Sequence, residues 1–154
     1  MNTLIGKDIL HGSQFSKDEL ELIMDVAQDF KKQLERTKTI DLLKGYLLAS
    51  LFFEPSTRTR LSFEAAIHRL GGSAIGFSSA ESTSISKGET LEDTIRTVDQ
   101  YVDFIAVRHP AVGSASRAAQ TASHPVLNGG DGTGQHPTQA LLDLFTIKSE
   151  LGKV

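Results

Sequence analysis

The hydrophobic pattern of the chain alternates between the period of a helix and the short apolar runs of buried strands. Residues 16–19, Ser-Lys-Asp-Glu, form a capping box, and apolar side chains recur at helical spacing from residue 20 to residue 34. Residues 46–53 are apolar except for Ser50, which is typical of a strand buried on both faces of a parallel sheet. Residues 59–70 return to helical spacing and end at two glycines.

The same alternation continues to the end of the chain. The pattern predicts further strands at residues 73–77, 104–107 and 126–127, and further helices at residues 90–101, 116–121 and 137–148. A polar loop covers residues 78–88, and a glycine-rich loop covers residues 129–135. Four strand-helix units predict an α/β fold, with a parallel sheet of about four strands and helices on both faces in a three-layer αβα arrangement.

Composition and charge restrict the function classes. The length fits one domain over residues 1–154, and 16 basic against 19 acidic residues give a net charge of −3, which does not favour nucleic-acid binding. The absence of cysteine excludes disulfides and thiolate chemistry and fits a cytoplasmic protein. Residues 1–8 lack the pattern of a signal peptide and no run reaches transmembrane length, so we expect no membrane partner. The histidines lack the spacing of metal ligands.

The residues after the second predicted element carry the strongest chemical signal. Ser56-Thr57-Arg58-Thr59-Arg60 places hydroxyls and two guanidinium groups at the start of a helix, with Ser56 or Thr57 as its N-cap. A first helical turn favours an anion through its unpaired N–H groups and its dipole, and guanidinium groups match the oxygens of a phosphate. The alternative is a solvated helix surface, although arginine is electrostatically unfavourable there without a compensating anion.

Three later residues are expected at the same edge of the sheet. Arg108 ends a predicted strand, His136 precedes the last helix and Gln139 lies about one turn further. Ligands of open α/β sheets bind beyond the carboxyl ends of the strands, so these residues are predicted to share a pocket with residues 56–58. Other interpretations remain: Arg108 in a structural salt bridge, and His136 with Gln139 as a helix cap. Surface or packing positions are expected for His68, His109 and His124.

These motifs, taken in order, resemble the aspartate and ornithine carbamoyltransferase family. Residues 53–60, Phe-Glu-Pro-Ser-Thr-Arg-Thr-Arg, look like its carbamoyl-phosphate signature and are followed by Ser62-Phe63-Glu64. Arg108-His109-Pro110 and His136-Pro137-Thr138-Gln139 are similar to its next two motifs. Residues 82–90, Ser-Thr-Ser-Ile-Ser-Lys-Gly-Glu-Thr, resemble the loop of the aspartate branch. The resemblance implies that residues 1–154 are the carbamoyl-phosphate-binding domain, without the aspartate-binding second domain.

The resemblance also implies a reaction, the transfer of a carbamoyl group from carbamoyl phosphate to L-aspartate in pyrimidine synthesis. The products would be N-carbamoyl-L-aspartate and phosphate. Ser56-Thr57-Arg58-Thr59 would bind the phosphate, and Gln139 would hold the carbamoyl amide. No cofactor or metal is implied. The implied catalytic residues, which stabilise charge on the leaving phosphate or on the carbonyl oxygen, are Arg58, Thr59, Arg108 and His136.

A homotrimer is implied as well, in which Ser84 and Lys87 of the polar loop serve the site of a neighbouring subunit. Regulatory or dihydroorotase chains would be further partners. In the family, the glutamate that matches Glu54 has cationic partners in the second domain, and a C-terminal helix packs against this one, so apolar surface is expected to be exposed here. Two outcomes stay open: a domain that is poorly active or inactive alone, or a non-catalytic module for anion binding, trimer assembly or regulation.

Overall fold

The computed structural model describes residues 4–152, except for the side chain of Ser82. Residues 1–3 and 153–154, which the predicted domain and the N-terminal pattern include, lie outside the described range. The helices are α1 (Lys17–Thr37), α2 (Thr57–Arg69), α3 (Leu91–Val98), α4 (Ser114–Thr121) and α5 (Pro137–Leu151). The strands are β1 (Leu47–Phe52), β2 (Ser73–Phe77), β3 (Phe104–His109) and β4 (Val126–Asp131). Within this range, no helix has the length and apolar character needed to cross a membrane.

The four strands form one parallel sheet in the order β2-β1-β3-β4, which confirms the predicted fold class. Ile9 forms a parallel bridge with Leu127 at the β4 edge. Because successive side chains of a strand point to opposite faces, β1 contributes to two cores. Ala49 and Leu51 belong to a cluster with residues of α3 and α4, whereas Leu48 packs with Ile67 of α2 on the other face.

One polar side chain lies inside β1. Ser50 is 1% exposed, and its hydroxyl donates to Oε1 of Glu64 on α2 at 3.1 Å. The same carboxylate oxygen accepts from Arg60 at 3.1 Å. A buried hydroxyl needs a partner, and this one is supplied by the helix that follows the strand. The Ser50–Glu64–Arg60 contacts therefore hold the first turns of α2 against the sheet.

The predicted strand at residues 126–127 is too short. In the structure β4 continues through Gly129 and Gly130 to Asp131. The predicted loop over residues 129–135 therefore overlaps the last three residues of the strand. Val107 pairs with Asn128 and His109 pairs with Asp131, so two glycines of β4 lie opposite one residue of β3. This is a β-bulge, and glycines at a bulge look like a turn in sequence because they lack strand propensity.

Other boundaries differ by a few residues. The predicted helix at residues 90–101 ends at Val98, the one predicted at 116–121 begins at Ser114, and the last continues to Leu151. The polar loop at residues 78–88 contains two 3₁₀ turns, Ala80–Ser82 and Ser84–Lys87. The capping box at Ser16 is formed as predicted, with Ser16 and Glu19 exchanging hydrogen bonds.

A buried carboxylate joins α3 to β4 at the edge where the strands begin. Asp99 is 5% exposed and accepts from the Ser123 hydroxyl at 2.6 Å. It also accepts from the backbone N–H groups of Ser123 and His124, and lies 3.0 Å from the His124 ring nitrogen Nδ1. Burial alone would raise the pKa of Asp99, but the hydrogen bonds from Ser123 and His124 outweigh it and lower the pKa to about 2.

We predict that Asp99→Asn lowers the free energy of unfolding by about 2 kcal/mol near neutral pH. A lowered pKa means that the folded state prefers the ionised form, so this stabilisation is present above the ordinary value of 3.8 and is lost as pH falls toward about 2. Because the chain has no tryptophan, urea unfolding would be followed by circular dichroism at several pH values. A variant that loses stability with acid as steeply as the parent would contradict this assignment.

Candidate functional site

The first turn of α2 differs from those of α1 and α3 in its charge and capping. In α1 and α3 the N-cap side chains, Ser16 and Thr90, accept a backbone N–H, and acidic residues occupy the first turn. In α2 the N-cap is Ser56, whose side chain makes no capping bond, and the first turn holds no acidic residue. Arg58 lies there instead. The N–H groups and dipole of this turn are thus reinforced by a cation, which favours a bound anion.

Seven residues predicted for the site line a single cleft. Its volume is about 1450 Å³, and it opens between α1, α2 and α5. The two ends of the predicted set, residues 56–59 and Gln139, are separated by some eighty positions in sequence and meet here because their strands end at the same edge. The seven residues are Ser56, Thr57, Arg58, Thr59, Arg108, His136 and Gln139.

Arg108 is held at the end of β3 by two acceptors. Its Nη2 lies 2.7 Å from Oε1 of Glu54, and its Nη1 donates to the carbonyl oxygen of Gly129 at 3.0 Å. Its Nε is buried and has no partner among the described residues. The predicted alternative of a salt bridge is therefore present, and the same guanidinium still lines the cleft.

The bulge in β4 makes room for this guanidinium. Gly130 has φ of +117°, and a Cβ placed on it would lie 2.5 Å from Nη1 of Arg108. Any larger residue would be strained in its backbone and would displace the arginine. The glycines of β4 therefore let Arg108 cross the end of the strand and reach the cleft.

His136 is both a helix cap and a residue of the cleft. It is the N-cap of α5, and its Nδ1 accepts the backbone N–H of Gln139 at 3.4 Å, with the Thr138 hydroxyl 3.3 Å away. Burial, followed by the charge of Arg108, lowers the pKa of His136. The imidazole is therefore neutral at neutral pH, and because Nδ1 is an acceptor, its proton lies on Nε2. That tautomer offers one N–H donor on the ring edge away from the cap.

Gln139 is exposed at the rim of the cleft, and its amide nitrogen donates to Oδ1 of Asp143 at 3.0 Å. This contact leaves its amide carbonyl oxygen as a candidate acceptor. Both interpretations of the His136 and Gln139 pair therefore apply, since one helix start provides a cap and two side chains of the cleft.

The carbamoyl-phosphate-binding domain model of the aspartate/ornithine carbamoyltransferases matches residues 7–149. The chain belongs to the aspartate/ornithine carbamoyltransferase family. The match covers the whole sheet and every residue predicted for the site, so the resemblance of the short motifs extends to the full domain.

Several members of the carbamoyltransferase family are similar to this chain over nearly all of its length. The aspartate carbamoyltransferase catalytic subunit of Thermococcus kodakarensis is 56% identical over 149 residues, which are 97% of this chain and 48% of that protein. The chloroplastic aspartate carbamoyltransferase of Arabidopsis thaliana is 55% identical over 148 residues, 96% of this chain and 38% of that protein. Aspartate transcarbamoylase of Trypanosoma cruzi, solved with carbamoyl phosphate and aspartate, has a TM-score of 0.92 and 47% identity over 96% of this chain and 46% of that chain. The chain thus spans about half the length of these first relatives.

Two predicted residues of the carbamoyltransferase site lie elsewhere. Ser84 and Lys87 are exposed on the 3₁₀ turn Ser84–Lys87, and they are not among the described residues that line the cleft. Arg60, whose guanidinium was also expected at the phosphate, is directed to Glu64 and does not line the cleft. In residues 4–152, no group of three or more His, Asp or Glu side chains could hold a metal.

Sequence patterns missed several residues that shape the cleft. Glu54 is part of the signature, but nothing local indicates that it pairs with Arg108, fifty-four positions away. Apolar side chains that resemble core positions in the α1 and α5 patterns also line the open cleft; they include Phe30, Leu34, Leu142 and Phe145. His109 packs its ring 5.0 Å from that of Phe53, as expected for a packing residue.

We predict that Glu54→Gln strengthens the binding of inorganic phosphate by roughly three- to tenfold. The carboxylate of Glu54 competes with an incoming anion for Arg108, and the variant removes that competition. Calorimetry at low ionic strength would measure the affinity. Glu92→Gln is the matched control, because Glu92 pairs with Arg117 at the same 2.7 Å but outside the cleft. Weaker or unchanged binding by Glu54→Gln would count against competition at Arg108.

Proposed function

We propose that this chain is the part of an aspartate carbamoyltransferase that binds carbamoyl phosphate and supplies the groups that activate it. The observation that carries the proposal is the reversed charge of the α2 start, where Arg58 replaces the acidic residues and the side-chain cap of α1 and α3. The phosphate would accept from the first-turn N–H groups, from the hydroxyls of Ser56, Thr57 and Thr59, and from Arg58.

The carbamoyl end of the substrate would lie toward Arg108 and His136. In the reaction the amine of L-aspartate attacks the carbonyl carbon, negative charge develops on the carbonyl oxygen, and the bond from carbon to the phosphate oxygen breaks. The proton lost by the amine passes to the phosphate, which leaves as hydrogen phosphate. Arg108, the Nε2–H of His136 and the Thr59 hydroxyl are suited to stabilise the oxyanion, because each is a donor and the His136 ring is oriented by the N–H of Gln139 that it accepts.

Charge on the leaving group is the second demand of this reaction. Phosphate departs as an anion, and Arg58 together with the α2 dipole opposes the charge that accumulates on it. Gln139 is proposed to hold the carbamoyl amide through its free carbonyl oxygen. Catalysis would then rest on position and electrostatics, without a covalent bond to the protein and without a cofactor or metal.

Aspartate is proposed as the acceptor on two grounds. Residues 82–90 resemble the loop of the aspartate branch, and the relatives of Thermococcus and Arabidopsis are both named aspartate carbamoyltransferases. Ser84 and Lys87 are proposed to complete the site of a neighbouring copy in a homotrimer, which their exposure away from their own cleft supports. A cytoplasmic location remains a prediction from the absence of cysteine, and regulatory or dihydroorotase partners remain predictions from the family resemblance.

The first test is binding by the 154-residue chain itself. We predict that Arg58→Ala and Arg108→Ala each weaken carbamoyl phosphate and inorganic phosphate binding by about tenfold or more, because each removes a charge-assisted donor. Arg36→Ala is the matched control, since Arg36 is exposed on α1 and lies outside the cleft. Unchanged affinities in both cleft variants would refute the proposed site.

The second test concerns the reaction and the shared site, in a polypeptide that joins this chain to the second half of its relatives. We predict that it forms carbamoyl-aspartate and that Arg58→Ala and Lys87→Ala are each nearly inactive. A one-to-one mixture of the two variants should regain activity in about a quarter of the sites, since an intact site then forms between different chains. No recovery would refute the shared site, and a preference for ornithine would refute the aspartate assignment. Activity that never appears while phosphate still binds would favour a non-catalytic anion-binding module.

A further inference from the structure

A second buried carboxylate lies at the edge of the sheet where the cleft opens. Asp131 is the last residue of β4 and is 3% exposed. Its two carboxylate oxygens accept from two backbone N–H groups, Oδ2 from Gly113 at 2.9 Å and Oδ1 from Gln135. It does not line the cleft, so it has no part in the site described above.

The two hydrogen bonds of Asp131 join the connection that follows β3, the strand that carries Arg108, to the residue before His136. Gly113 is the N-cap of α4 and ends the connection that leaves β3 just after Arg108. Gln135 directly precedes His136. Two backbone bonds complete the junction, from Gly132 to the carbonyl oxygen of His109 and from Gly134 to the carbonyl oxygen of Asp131, both at 2.9 Å. A single carboxylate is thus bonded to both loops.

The junction leaves no space for side chains. A Cβ on Gly132, where φ is +58°, would overlap the carbonyl oxygen of Pro110. A Cβ on Gly134 would lie 2.6 Å from Oδ1 of Asp131. Because the backbone packs with no space left at Gly132 and Gly134, a shift in one loop is expected to be transmitted to the other.

We propose that Asp131 is a positioning residue that sets the mutual placement of Arg108 and His136 for anion binding and carbonyl polarisation. It acts through the two loops and does not touch the substrate. The inference rests on the proposed function, because it assigns a purpose to the distance between two residues of that cleft. Groups that polarise one oxygen atom must be held to within a fraction of an ångström, which a bonded buried carboxylate between their loops provides.

Asp131→Asn, made in the 154-residue chain, tests this directly. The amide keeps the shape but cannot accept at both ends, so one loop loses its bond. We expect phosphate affinity to fall about tenfold while the chain remains folded. Asp99→Asn is the matched control: it removes an equally buried carboxylate bonded to backbone N–H groups at the opposite edge of the sheet, so it should reduce stability and leave phosphate affinity within about twofold.

Gly134→Ala is the second variant, and it serves if Asp131→Asn does not fold. It retains the charge of Asp131 and displaces the carboxylate, because the new methyl group would lie against Oδ1. Weakened phosphate binding in this variant would exclude loss of charge as the cause. If phosphate affinity fell in Asp99→Asn as much as in Asp131→Asn, a general loss of stability would be the explanation and the proposal would be wrong.

The His136 ring supplies a measurement that needs no ligand. Burial and Arg108 hold the pKa of His136 below its ordinary value, so loosening its loop should raise that pKa, whereas removal of a nearby negative charge alone should lower it. NMR titration of His136 in Asp131→Asn and Gly134→Ala distinguishes a loosened loop from the loss of a charge. A lower or unchanged pKa would overturn the proposal. A raised pKa in a chain whose parent binds no phosphate would uphold the positioning role and reject the proposed function.

Discussion

The parallel register of β1, β3 and β4 is the constraint on which the cleft depends. Phe52 pairs with Arg108 and His109 pairs with Asp131, so the three strands end within a few residues of one another at one edge. β1 leads into the start of α2, β3 carries Arg108 near its own end, and β4 leads into the loop before His136. No sequence-local interaction could bring Arg58 and His136 together, because they are joined only through the ladder of backbone bonds between these strands. The buried, apolar side chains of β1 hold it at the centre of the sheet, and the backbone pairing of the strands then sets the relative positions of the site residues.

The position of Arg108 shows how the fold meets the cost of a half-buried cation. The guanidinium is balanced by Glu54 and by the Gly129 carbonyl, and its Nε remains unpaired among the described residues. These two acceptors stabilise the guanidinium in the cleft, but they do not satisfy all of its N–H donors. A buried N–H without an acceptor carries a desolvation cost. An anion that enters the cleft would meet the guanidinium where it lines the cleft and compete there with Glu54. The pair with Glu54 therefore gives the cleft a defined geometry while leaving Arg108 able to bind.

The strands, the long helices and the cleft residues were predictable because they depend on local pattern and on one topological rule. The continuous apolar run placed β1, and period-3.6 spacing placed α1 and α2, within a few residues; the common edge of parallel strands brought Arg108 to residues 56–59. What the sequence could not provide is pairing at long range. Arg60 resembles Arg58 in sequence, yet it pairs with Glu64. The end of β4 resembles a loop in sequence because it contains glycines, and Gly130 leaves room for the Arg108 side chain. Both depend on which side chains meet after folding.

The charged residues that line the cleft are mainly cations although the chain has a net negative charge, and this difference restricts the size of an anionic ligand. The protein carries a net charge of −3, whereas the cleft is lined by Arg58, Arg108 and further cations of α1 and α2, with few carboxylates to oppose them. A long polyanion would extend beyond the cleft over a chain whose net charge is negative, and its binding would gain little. A small dianion meets only the local field. The sign of the chain and the sign of the cleft together therefore favour a ligand about the size of a phosphate, in keeping with the proposal that the α2 start binds the phosphate of carbamoyl phosphate.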